Sequence, residues 1–306
     1  MKALAALLPP LFVAALATAG ALALVRFGLF GWTLFVVAPL FAGALSALMF
    51  PTESAGAAAV RGVLTVTAGL TLFLLLGIEG LICIAMALPL AVPLGALGAC
   101  AVHWMYQLSR PGRLVPLLLL PPAGVVYDVN AQAPLFEVRT SVEIKAPARQ
   151  VWRHVVAFAE LPEPGEWFFR AGLAYPKRAR IEGAGVGAVR YCDFSTGSFV
   201  EPIVVWDEPR LLQFRVTGNP PPMHELSPWG GRVRPKHLDG YMVSERGQFH
   251  LTALPGGRTL LEGTTWYRHG LWPAEYWRWW SDAVIHRIHL RVLKHIRVLS
   301  ESADGP

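Results

Sequence analysis

The chain has 306 residues, and its 54% hydrophobic content and net charge of +6 average two unlike halves: residues 1–110 hold only Lys2, Arg26, Arg61, Arg110, Glu53 and Glu79 as charges, whereas residues 135–306 hold 22 Lys and Arg against 18 Asp and Glu. That dispersed balance, with no basic run, zinc-finger spacing or helix-turn-helix signal, argues for no nucleic acid as a partner. The three unpatterned cysteines, Cys83, Cys100 and Cys192, argue against a disulfide scaffold and for a reducing compartment.

Residues 1–110 read as a membrane region. A helix needs ~20 residues to cross a bilayer, and four apolar stretches approach that length, at 4–25, 28–50, 57–78 and 81–106. The turn between the third and fourth falls at Glu79-Gly80 or at Pro89–Pro93. With a cytoplasmic N-terminus, Lys2, Arg61, Arg110 and Arg113 lie inside and only Arg26 outside. Cations favour the inner side, so the C-terminal domain is expected in the cytoplasm and the protein in an inner or plasma membrane. A cleaved leader ending near Ala17-Thr18-Ala19 is the rival reading and leaves that domain on the same side. Glu79 is the one acid of this half outside an obvious loop. It is a functional intramembrane carboxylate or, beside Gly80, a turn residue at the interface.

Residues 111–134 form a connector punctuated by Pro111, Pro116, Pro121, Pro122 and Pro134. Its apolar run Leu114–Leu120 is too short to span and is expected on the membrane surface or against the domain. Residues 135–302 then read as one domain. Phe136–Lys145 alternates as a strand, Pro147 opens a short helix carrying Val151, Trp152, Val155 and Phe158, and strands follow near 177–182, 186–195, 198–207, 210–217, 241–254 and 258–268. A long helix, about 273–301, closes the chain with a Trp280–Val284–Ile288–Val292 stripe expected to face the sheet. The fold class is α+β: a curved antiparallel sheet around a long C-terminal helix, a helix grip, preceded by an α-helical four-span membrane region. A helix held by a bent sheet leaves room for an apolar ligand.

The best candidate site is the 186–207 hairpin. A two-residue turn at Thr196-Gly197 would pair Cys192 with Glu201 and Arg190 with Ile203, leaving Arg190 and Glu201 diagonal neighbours. Alternation then puts Arg190, Cys192, Phe194, Phe199, Glu201 and Ile203 on one face, the expected ligand-binding wall if that face is inward. The other face carries Tyr191, Asp193 and Trp206. The 218–240 insertion, with Met223, His224, Trp229 and His237, is a possible lid. Its His224, Glu225, His237 and Asp239 match no ligand spacing, so no metal is expected. No phosphate loop or dinucleotide fingerprint is present, and no cofactor is expected. His286 and His289 of the last helix, among Arg287, Arg291, Lys294 and Arg297, are expected on a solvated basic face.

Residues 135–302 resemble the START-like, or SRPBCC, helix-grip superfamily, in its polyketide cyclase/dehydrase-like branch. The carrying segments are Val142-Glu143-Ile144-Lys145-Ala146-Pro147 before Val151-Trp152, Gly185-Val186-Gly187-Ala188-Val189-Arg190, Glu201 through Trp206-Asp207-Glu208-Pro209-Arg210-Leu211, and Leu254-Pro255-Gly256-Gly257-Arg258-Thr259. The resemblance implies the fold and, for function, a membrane-anchored domain whose partners are the lipid bilayer and a hydrophobic small molecule or lipid. A cyclase/hydrolase-type enzyme using Glu201 and Arg190, or an anchored scaffold with a filled cavity, are the alternatives.

Overall fold

The computed structural model describes residues 2–107, 115–226, 232–233, 235–238, 240 and 242–302. These fall into two compact units. One draws on Met1–Gln132, Glu225–His237 and Gly270–Tyr276, the other on Ala133–His224, Leu238–His269 and Trp277–Pro306.

The first unit is helical. Helices α1 (Lys2–Arg26), α2 (Ala38–Met49), α3 (Ala55–Leu75) and α4 (Leu81–Gln107) are followed by α5 (Val115–Asn130). Among the described residues, three segments are long and apolar enough to cross a membrane: Leu8–Arg26, Ala55–Leu75 and Leu81–Gln107. The expected second span is shorter, Thr33–Met49 including a π-helical turn at Thr33–Val37, so the count of long spans is three and not four. The cause is local. Gly28 takes φ +72°, and the Asp128 carboxylate of α5 accepts from Trp32 N at 2.7 Å and Thr33 N at 2.9 Å, fixing the start of this helix. Pro51 follows its last turn.

The turn before α4 is at 76–80, with Gly77 at φ +65°, and Pro89 and Pro93 lie inside α4. The connector contains α5, which runs through Pro121 and Pro122 within the helical unit. Proline breaks a helix by removing one donor, a loss that packing can offset. The backbones touch at glycine. A Cβ on Gly43 would sit 1.9 Å from the Gly95 carbonyl oxygen, and one on Gly98 1.9 Å from that of Leu40. Small residues permit this close helix packing where no hydrophobic force separates helix from lipid.

The second unit is a curled antiparallel sheet around a helix. Its elements are β1 (Leu135–Ile144), α6 (Ala148–Val156), α7 (Trp167–Arg170), β2 (Pro176–Glu182), β3 (Val189–Phe194), β4 (Gly197–Asp207) and β5 (Leu211–Arg215). Two short strands of the insertion, β6 (Glu225–Leu226) and β7 (Arg232–Val233), pair with each other in the helical unit. The sheet resumes with β8 (Met242–Leu254) and β9 (Arg258–His269), and α8 (Ala274–Glu301) ends the chain. Strand order is β1-β9-β8-β5-β4-β3-β2.

Alternation decides the inner face. Phe136, Val138, Thr140 and Ile144 of β1 are buried, as are Thr259, Leu261 and Tyr267 of the paired β9. The core adds Val151, Trp152 and Val155 from α6, Ile203, Leu212 and Leu251 from the sheet, and Val292, Leu293 and Ile296 from α8. The buried line of α8 runs through Trp277, Ile285, Val292, Leu293 and Ile296, one step round from the expected Trp280–Val284–Ile288–Val292 stripe. Leu293 closes over Gly263: a Cβ there would lie 3.6 Å from its methyl carbon.

Candidate functional site

On the concave face the β3–β4 hairpin sets the first polar group. The register is Arg190↔Glu201 and Cys192↔Phe199, with Phe194 opposite Gly197. The two-residue turn is Ser195-Thr196, one position earlier than expected, and Gly197 with φ +146° is the first residue of β4. The pairing therefore shifts by two. Faces are unchanged, because the side-chain period is two, but Arg190 and Glu201 now stand directly opposite rather than diagonal.

Arg190 and Glu201 form a buried ion pair through Nη1 and Oε2, with 1% and 6% of their surfaces exposed. Arg190 Nε donates to the Val156 carbonyl at 3.2 Å. Its guanidinium carbon lies 5.7, 5.7 and 5.4 Å from the ring centroids of Phe158, Phe214 and Phe249. Burial pushes the Glu201 carboxyl above the ordinary carboxylate range, and the Arg190 charge pulls it back only in part. Burial and then Glu201 raise the neighbouring Cys192 thiol to about 12, so it stays protonated at neutral pH. Phe194 and Phe199 pack edge to face at 4.8 Å, and Ile203 is buried. The register keeps all six residues on one face of the hairpin, with Arg190, Cys192, Glu201 and Ile203 buried and Phe194 and Phe199 partly buried.

A second polar group lies between α8 and β1–β9, at positions assigned from sequence to solvent. His289 Nε2 meets Thr265 Oγ1 at 2.8 Å, and its Nδ1 meets Thr140 Oγ1 at 3.2 Å. The same Thr140 hydroxyl meets His286 Nδ1 at 2.8 Å. Both nitrogens of His289 are thus enclosed, and burial, with a smaller push from His286, lowers its pKa to about 4. Further along, the Tyr267 hydroxyl donates to Asp282 Oδ1 at 2.6 Å, whose Oδ2 accepts from Arg278 Nε at 3.1 Å. Burial and the Asp282 charge raise the Tyr267 pKa. A signal for this group existed in the sequence. Asp282, His286, His289 and Leu293 follow helical spacing, and Thr140 keeps phase with Phe136, Val138 and Ile144.

The insertion expected as a lid is divided. Met223 bridges to Leu173, and His224 N donates to the Gly172 carbonyl at 2.8 Å, both inside the sheet-bearing unit. His237 belongs to the helical unit, in a 3-10 turn at Lys236–Leu238. Trp229 lies outside the described residues, as do Arg110 and Arg113 of the cation count. The helical unit also has an open cleft of about 300 Å³ lined by Ala47, Pro51, Thr52, His103, Tyr106 and Gln107.

Residues 136–268 match the family model described as polyketide cyclase / dehydrase and lipid transport. No curated protein matches the chain. Among solved structures, the truncated norcoclaurine synthase of Thalictrum flavum is similar at 12% identity over 57% of this chain and 99% of that one, with a TM-score of 0.37. The Zhui aromatase/cyclase of a Streptomyces species shares 16% over 55% and 94%, TM-score 0.37. The protein XoxI of Bacillus cereus shares 14% over 53% and 93%, TM-score 0.35. Over residues 136–268, then, the chain is similar to that family.

Proposed function

We propose that the sheet-bearing unit is a membrane-tethered cytoplasmic domain that binds a hydrophobic small molecule or lipid between its concave face and α8. The carrying observation is the Arg190–Glu201 pair buried among the rings of Phe158, Phe214 and Phe249. A buried ion pair is no more stabilising than apolar residues of the same volume. Stability alone therefore gives no reason for it, whereas orienting the one polar group of an apolar ligand does. The Thr140–His286–His289–Thr265 group supplies a second polar rung along the same face. The family description, which names lipid transport beside polyketide cyclases, agrees with such a ligand.

Binding fits the side chains better than covalent catalysis. Cys192 is held as a thiol, and Glu201 is engaged by Arg190. The tether is the set of apolar helices. The cytoplasmic assignment rests on the cation distribution, and a C-terminal fluorescent reporter compared with periplasmic phosphatase tests it: phosphatase activity there sinks the assignment.

The binding reading is tested by native mass spectrometry of the full chain released from detergent. The expected result is a retained apolar mass at about one per chain, lost or reduced in the Arg190→Met/Glu201→Leu double variant. A wild-type spectrum showing the bare chain only, or the same retained mass in both proteins, overturns it.

A further inference from the structure

The group left unused by this reading lies wholly inside the helical unit: Glu79, Cys83 and His237. We propose that these three side chains form a binding site for a divalent transition-metal ion, zinc by its donor set. The inference stands apart from the ligand reading of the sheet-bearing unit.

Local structure brings the donors together. Glu79 lies in the turn at 76–80 just before α4, and Cys83 is in the first turn of that helix. His237 arrives from a position 154 residues away in the sequence. Its Nε2 lies 3.1 Å from Cys83 Sγ and its Nδ1 lies 3.3 Å from Glu79 Oε1. One donor atom from each of the three residues falls within 4.8 Å of the other two. Phe30, 2% exposed, packs its ring 5.4 Å from the imidazole and closes one side.

Two readings of this geometry compete. In a nucleophile relay, the thiol bonds one imidazole nitrogen and the carboxylate bonds the other. That requires an aligned N–H to carboxylate bond. Here His237 Nδ1 and Glu79 Oε2 are both buried with no hydrogen-bond partner among the described residues. Nδ1 is near Glu79 Oε1 but not aligned on it as a donor. Orphaned buried polar atoms on two members of one cluster are what a cation would satisfy. Metal bonds of about 2.0–2.2 Å to nitrogen and oxygen give a tetrahedral ligand-to-ligand edge of about 3.3–3.5 Å, which the 3.3 Å Nδ1–Oε1 separation matches; Cys83 Sγ now faces the opposite nitrogen, Nε2, and joins the same ion by turning toward Nδ1.

Charge points the same way. With Glu79 as carboxylate and Cys83 as thiolate, a divalent cation makes the set neutral, which suits a buried place beside apolar helices. One sulfur, one nitrogen and one oxygen suit zinc rather than calcium or magnesium, which take oxygen alone. Three protein ligands leave a fourth position for water, the pattern of a site that can act on a substrate rather than only brace a fold. Sequence spacing could not show this, because the third ligand comes from the insertion.

The test uses the full chain in detergent, stripped with chelator and titrated with zinc or cobalt. The expected result is about one bound ion per chain and, with cobalt, a thiolate-to-metal absorption band. Cys83→Ser should abolish that band, His237→Ala should weaken metal retention more than about tenfold, and Cys100→Ser should change neither. Size-exclusion profiles matching wild type show that the variants remain folded. Wild type that retains no more metal than His237→Ala, or a cobalt spectrum without a thiolate band, overturns the proposal. So does rapid iodoacetamide labelling of Cys83 that zinc fails to slow, the outcome a nucleophile relay would give.

Discussion

Replacing Arg190 by methionine isolates the energetics of the concave face. The side-chain volume is roughly kept, but Glu201 loses its cation while 6% exposed. A buried carboxylate without a partner takes up a proton, and burial already pushes Glu201 in that direction. At pH 7 the unfolded chain has Glu201 ionised with a pKa of about 4.3, so keeping it protonated in the folded domain costs about 3–4 kcal/mol. At pH 5.5 the same term falls to about 1.5–2 kcal/mol. The Arg190→Met variant should therefore melt roughly 10 °C below wild type at pH 7 and close part of that gap at pH 5.5. Glu201→Leu leaves a guanidinium that cannot shed its proton, so its deficit should persist at both pH values. The double variant Arg190→Met/Glu201→Leu should regain much of the loss. The assay is thermal unfolding of the full chain in detergent by tryptophan emission, since nine of the eleven tryptophans lie beyond residue 135. Single variants that melt like wild type, or a double variant no better than either single one, refute the reasoning.

Other consequences concern α8 and the helical unit. His289 has its folded pKa lowered to about 4. The unfolded chain protonates it below its ordinary value of about 6.5, and the folded domain only near 4, so stability is lost as pH falls through that window, by about 3 kcal/mol in all; His289→Gln should flatten this part of a stability–pH curve, and an unchanged curve speaks against the assignment. Leu293, 1% exposed over Gly263, should cost about 2–5 kcal/mol as Leu293→Ala in chemical denaturation, while the exposed Val298→Ala should be near neutral. Tyr267→Phe removes the donor to Asp282 and should cost about 1–2 kcal/mol, read as a lowered melting temperature. Gly98→Leu drives a side chain into the Leu40 carbonyl and should disperse the size-exclusion peak in detergent; a wild-type profile would place this helix contact elsewhere.

Much of this protein is legible along the chain because the relevant signals are local. Contrast in charge density separates the lipid-compatible half from the water-facing half, and period-two alternation marks β1 and β4 within a residue and β3 within three. The same alternation puts Arg190 and Glu201 on one face whatever the turn, since a register shift of two residues preserves it. What sequence could not settle depends on partners far away. Thr33–Met49 starts late because Asp128, 95 residues on from Thr33, satisfies its first amides. The connector is helical because packing offsets the donors that Pro121 and Pro122 lack. His286 and His289 look solvated beside so many cations; His286 is exposed as expected, but threonine hydroxyls of β1 and β9 enclose the ring nitrogens of His289. Glu79 and Cys83 are near neighbours in the sequence, but His237 joins them only through the tertiary fold. Spacing fixes which side chains share a face, and only the folded chain, by bringing distant polar groups together out of water, decides which of them need each other.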